Sequence, residues 1–115
     1  MTRLREFHDK AMDCAELAVV ARLRGQTTKQ RRLLREAFEN EKQAAALTAR
    51  RYRFEPTRSV LHRSAASLAL ECGEFREAER LIALALTGEP PVEIAEELRD
   101  LLGQVYSHRD ALNGH

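Results

Sequence analysis

Residues 59–92 read SVLHRSAASLALECGEFREAERLIALALTGEPPV, and the spacing of their apolar positions decides the fold. Leu61, Ala65, Leu68, Ala69 and Cys72 recur three and four apart, which places them on one stripe of a helix that begins near Thr57 and stops at Gly73. A second stripe, Phe75, Ala78, Leu81, Ile82, Ala85 and Leu86, predicts a helix over 75–86. The link between the two is too short for anything but an antiparallel hairpin, and glycine is the residue that tolerates the left-handed turn such a link needs. Gly88-Glu89-Pro90-Pro91 then ends the second helix.

Outward from this hairpin the same periodicity continues. Towards the N-terminus, Leu4, Phe7, Ala11, Cys14, Ala18 and Ala21 predict a helix over about 3–24, closed by Gly25. Thr27 and Gln30 have capping-box spacing, and Leu33, Leu34, Ala37, Phe38, Ala44, Ala45 and Leu47 carry a second helix to about Arg51. Glu55-Pro56-Thr57 breaks the pattern, because proline disfavours helical geometry in the residue before it, and Thr57 is placed to cap the next helix. Beyond the hairpin, Pro91 suits the first turn of a helix, Glu93, Glu96 and Glu97 sit near its positive dipole end, and Ile94, Leu98, Leu101, Leu102 and Val105 form its apolar face. After Ser107 the periodicity is lost, which predicts a flexible tail over 108–115. The expected architecture is all-α, about five helices in one domain over 1–107: hairpins 3–51 and 57–87, then a closing helix 91–107.

Composition agrees with one small domain. A chain of 115 residues has room for one core, and with no tryptophan and 5% aromatics that core must be built from leucine and alanine, both strong helix formers. The net charge of +1 hides a split: residues 1–58 carry 14 Lys/Arg against 8 Asp/Glu, residues 59–115 carry 5 against 10. Such a dipole suits solvated helix surface, head-to-tail pairing or an oppositely charged partner. Cys14 and Cys72 fall inside helical patterns, as buried small hydrophobes of a reducing compartment do. No apolar leader or long apolar run is present, so a cytoplasmic protein without a membrane partner is expected.

Residues 59–92 resemble a tetratricopeptide repeat, with Ala66, Ala69, Ala78 and Ala85 where two helices cross, Gly73 at the turn, Phe75 just after it and Pro90 at the end. His62 and Ile82 stand where the repeat usually has aromatics. A looser copy covers 11–44 through Ala18, Ala21, Gly25 and Ala37, with Thr27 and Gln30 in place of the usual aromatic and alanine. Its glycine lies 48 residues before Gly73 instead of the 34 of a standard repeat, so the second helix has about 14 residues to place elsewhere. The resemblance implies a superhelical stack whose concave groove holds a peptide or helix of another protein, a fold that binds more often than it catalyses.

That implied groove is lined by Met12, Ala15, Val19 and Arg22 of the first hairpin and by Val60, Arg63, Ser67, Leu70 and Glu71 of the second. Its two arginines suit an acidic or C-terminal peptide. Because solenoids usually need three or more units, a second copy is also an expected partner, through Leu34, Phe38 and Leu47 of the long second helix. The alternative partner is nucleic acid, since Arg50-Arg51-Tyr52-Arg53-Phe54 alternates aromatics with arginines; the competing reading is a solvated helix end. Arg109 and His115 have the gap of the Arg-x4–6-His motif of HEPN-type ribonucleases, but on a flexible tail that cannot hold catalytic geometry. His62 reads as a surface or half-buried histidine, and His8 and Cys14 lack the further ligands that a zinc site needs. With no phosphate loop, nucleophile elbow or Cys-x-x-Cys, the chain is expected to be a non-enzyme without cofactor or metal.

Overall fold

A computed structural model describes residues 2–112, which form five α-helices: α1 Thr2–Leu23, α2 Thr27–Ala46, α3 Thr57–Glu71, α4 Phe75–Leu86 and α5 Val92–Leu112. The all-α expectation holds, with no strand among the described residues. Gly25 and Gly73, the two turn glycines, have φ of 70° and 76°, the left-handed region that residues with a Cβ avoid. At each turn the backbone folds back on the helix it closes: Gln26 N–H donates to Ala21 O and Glu74 N–H to Ala69 O.

Neighbours in sequence are neighbours in space. α1 packs on α2, α2 on α3, α3 on α4, and α5 on both α4 and α3. Alanine makes the crossings close: Ala11, Ala37, Ala44, Ala45, Ala65, Ala66, Ala69, Ala78 and Ala85 are all fully buried. Phe38, Leu61, Leu81, Ile82, Leu98 and Val105 fill the space between them. The result is a flat molecule, 42 × 41 × 20 Å.

Four expectations are corrected. The second helix ends at Ala46, and a run of turns over 47–56 takes the remaining residues; α2 and this segment together absorb the excess over a standard repeat. Neither threonine caps its helix. Gln26 and Pro56 hold the cap positions without side-chain bonds, and the Glu55 carboxylate accepts from both the backbone N–H and the hydroxyl of Ser59 instead. The closing helix continues beyond Ser107 to Leu112, because His108 stacks on Phe75 at 5.1 Å and Arg109 donates to Glu79 at 2.8 Å. Finally, His62 is 1% exposed rather than at the surface.

The buried polar groups account for that last correction. Arg58 is fully buried, and backbone carbonyls take its donors: Nε donates to Ala49 O at 3.1 Å, Nη2 to Leu84 O at 2.8 Å and Nη1 to Ala85 O at 3.5 Å. The planar guanidinium is thereby shared between the turns after α2 and the end of α4, a geometry that lysine cannot reproduce. Gly88 lies directly against it, where any Cβ would collide with the guanidinium. His62 sits one turn along α3, its Nδ1 2.7 Å from Arg58 O; a carbonyl only accepts, so that nitrogen carries the proton. Elsewhere the fully buried Glu41 of α2 accepts from Nδ1 of His8 of α1, at 2.9 and 3.0 Å from its two oxygens.

Candidate functional site

The two halves of the expected groove are not brought together. α1 touches α2 alone, so Met12, Ala15, Val19 and Arg22 lie apart from the α3 residues Val60, Arg63, Ser67, Leu70 and Glu71. The α3 half is itself divided. Arg63 and Ser67 line a hollow of about 260 Å³ with Glu97, Asp100, Leu101 and Gln104 of α5, and Arg63 bridges its walls by an ion pair to Glu97 at 2.9 Å. Its guanidinium is thus already engaged by the chain's own carboxylate. Glu71 faces a different hollow of about 270 Å³, with Arg31, Leu34, Arg35 and Cys72. Leu70 packs against the core and Val60 is half-buried.

The surface expected to pair two copies is also taken. Phe38 is 1% exposed, Leu34 packs against the core and Leu47 is half-buried, because α2 lies between α1 and α3 and is covered from both sides. Phe38 is a core residue and belongs to no dimer surface.

The outer face of α1 stands free. Val19, Val20 and Leu23 are 48%, 40% and 74% exposed, and Leu17 beside them 53%. They belong to the far end of the first hairpin, where Ala18, Ala21 and Leu33 form a small core of their own. This end runs past the α3–α4 turn, whose Glu74 is met by Arg35 of α2 at 2.8 Å. Residues 17–35 contain six Lys/Arg and no Asp/Glu, so the charge around these aliphatic side chains is mainly positive, with exposed Glu16, one turn before Val19 and Val20, as an acidic exception. The sequence pattern assigns these positions to a helix and the repeat resemblance puts Val19 in a groove, since periodicity does not tell which face a neighbour will leave bare.

The second surface feature is the segment 47–56. Arg50, Arg51, Tyr52, Arg53 and Phe54 line a cavity of about 540 Å³, and Tyr52 and Arg53 line another of about 360 Å³ with Thr87, Gly88 and Glu89. Tyr52 lies over the buried Arg58 guanidinium at 4.7 Å while remaining 54% exposed. Arg51 lies over Phe54 at 4.8 Å.

Titratable chemistry is sparse. Burial pushes the thiols of Cys14 and Cys72 up, which disfavours the thiolate; Cys14 is buried as expected, Cys72 only partly so. Arg109 is tied to Glu79, and His115 lies outside the described residues. Among the described residues no group of His, Cys, Asp and Glu is arranged to hold a metal, and no helix is long and apolar enough to cross a membrane.

No family profile matches the chain, and neither a curated protein nor a solved structure is significantly similar to it.

Proposed function

We propose that this chain is a non-catalytic protein-interaction module of tetratricopeptide type, an adaptor or accessory subunit that docks another protein through the outer face of α1. The observation behind this reading is the bare aliphatic surface of Leu17, Val19, Val20 and Leu23 on a hairpin end that the rest of the fold does not cover. Apolar side chains clustered and rimmed by charge are characteristic of binding surfaces, and the rim here is predominantly basic. A partner helix with an apolar stripe and acidic flanks would bury the aliphatics and neutralise Arg22, Arg24, Lys29, Arg31 and Arg32. The alanine crossings, the left-handed Gly73 and the half-buried Phe75 behind it agree with the tetratricopeptide reading of the second hairpin.

A photo-crosslinking residue at position 23, introduced into the full chain in the cells that make it, tests the reading. One dominant adduct is expected, and it should disappear in a Leu17→Glu/Val20→Glu variant whose helical signal is unchanged. A diffuse pattern no stronger than that from a crosslinker at exposed Glu96 would overturn it.

A further inference from the structure

The Arg50–Phe54 segment has a different character from the α1 face and is not used by the docking reading. Three properties distinguish it from a frayed helix end. First, it is ordered by its own bonds: Arg51 N–H donates to Thr48 O, Phe54 N–H to Arg51 O, and Arg58 N–H to Phe54 O, all at 2.7–2.9 Å. Second, Tyr52 is held on one side by a guanidinium that three backbone carbonyls lock in place, so half its surface stays open without the ring being loose. Third, Arg50 and Arg53 are exposed and, among the described residues, make no ion pair, so their charge is open to a ligand.

An aromatic ring fixed on one face and open on the other, with Arg50 and Arg53 nearby, combines the two elements that hold a single strand: a stacking platform and a positive track for phosphates. We infer that the 50–54 segment binds single-stranded nucleic acid, with an unpaired base stacked on Tyr52 and neighbouring phosphates neutralised by Arg50 and Arg53. A duplex keeps its bases stacked on each other and has none to offer Tyr52, so the preference is for unpaired strands. Arg50 and Arg53 lie three positions apart along an open segment, which suits successive phosphates of a strand better than a lone nucleotide.

The test is fluorescence anisotropy of the full chain with labelled oligo-dT and oligo-rU of about 12 nucleotides, across about 50 to 300 mM salt. Wild type should bind the single strands and bind a duplex of the same length more weakly. Tyr52→Ala should weaken binding roughly tenfold at every salt concentration, and Tyr52→Phe should restore it, as expected of stacking. Arg50→Ser/Arg53→Ser should lower the slope of log affinity against log salt by about 1.4, the share of two phosphates on a single strand. Because Arg50 and Arg53 are exposed, that variant is expected to keep the wild-type unfolding midpoint, so its loss of binding would be local. Absence of binding at the lowest salt, equal affinity for the duplex, or loss on changing Lys29, Arg31 and Arg32 to serine while the segment variants still bind would each overturn the assignment.

Discussion

Arg58 shows how one polar side chain can set local structure. Its three carbonyl acceptors belong to residues 49, 84 and 85, so it ties the turns after α2 to the end of α4. Replacing it with methionine removes all three donors; Leu84 O and Ala85 O keep the Thr87 hydroxyl and the Gly88 N–H, but Ala49 O loses the bond that ties it to α3, and about 1–3 kcal/mol of stability should be lost in urea unfolding. Gly88→Ala drives a methyl into the guanidinium and should cost about 1–3 kcal/mol in the same measurement. His62 gives a pH signature. Burial first, with the nearby Arg58 and Arg80 charges, lowers its pKa below the ordinary 6.5, against the opposing pull of its bond to Arg58 O and of Glu55. The unfolded chain therefore takes up a proton that the folded chain refuses, so stability is complete above about pH 6.5 and falls as the pH drops below it. His62→Gln should flatten the unfolding midpoint between about pH 7 and pH 5. Glu77, whose carboxyl Arg80 holds below its ordinary 4.5 by hydrogen bonding, contributes at more acid pH and does not confuse that window.

The long helix α2 acts as the partition of the molecule. Because α1 covers one side and α3 the other, Phe38 is enclosed, and its substitution reports on folding and not on association. Phe38→Ala should cost about 3–5 kcal/mol, read by chemical denaturation, whereas glutamate at that position should unfold the chain. α5 outruns its apolar pattern by five residues, since its last turns are held by a ring stack and an ion pair rather than by aliphatic burial. His108→Ala should cost roughly 0.5–1.5 kcal/mol and shorten the helix, detectable as faster amide exchange over residues 106–112.

Across the whole molecule, part of the charge split is satisfied internally. Arg35 and Lys42 of α2, in the basic half, meet Glu74 and Glu77 of the acidic half. Such exposed pairs add little stability each, and they leave the far end of the first hairpin, like Arg50 and Arg53, as a basic region without matching carboxylates among the described residues. Two copies joined symmetrically through that end would bring like charges together. Light scattering on a size-exclusion column at low salt should therefore give one chain, 13.1 kDa. A dimer that strengthens with added salt would point to pairing through the α1 aliphatics, and one that weakens would point to basic-to-acidic stacking of successive copies.

The sequence by itself determined the five helices, their pairing into hairpins and the turns at Gly25 and Gly73. Those have short-range causes: apolar spacing of three and four, and the left-handed backbone that glycine adopts freely. Even the burial of Arg58 and His62 left a trace, since 58, 62, 65 and 69 continue one helical stripe, hidden because two members are polar. Tertiary structure decided the rest. α2 stops at Ala46, and the Ala49 carbonyl just beyond it goes to Arg58. The expected groove is split since α1 meets α2 and not α3, and the surface that remains is a bare aliphatic hairpin end and an ordered basic turn. Periodicity names the face of a helix that will be covered; which neighbour covers it, and how far along, is settled by contacts between residues distant in the chain.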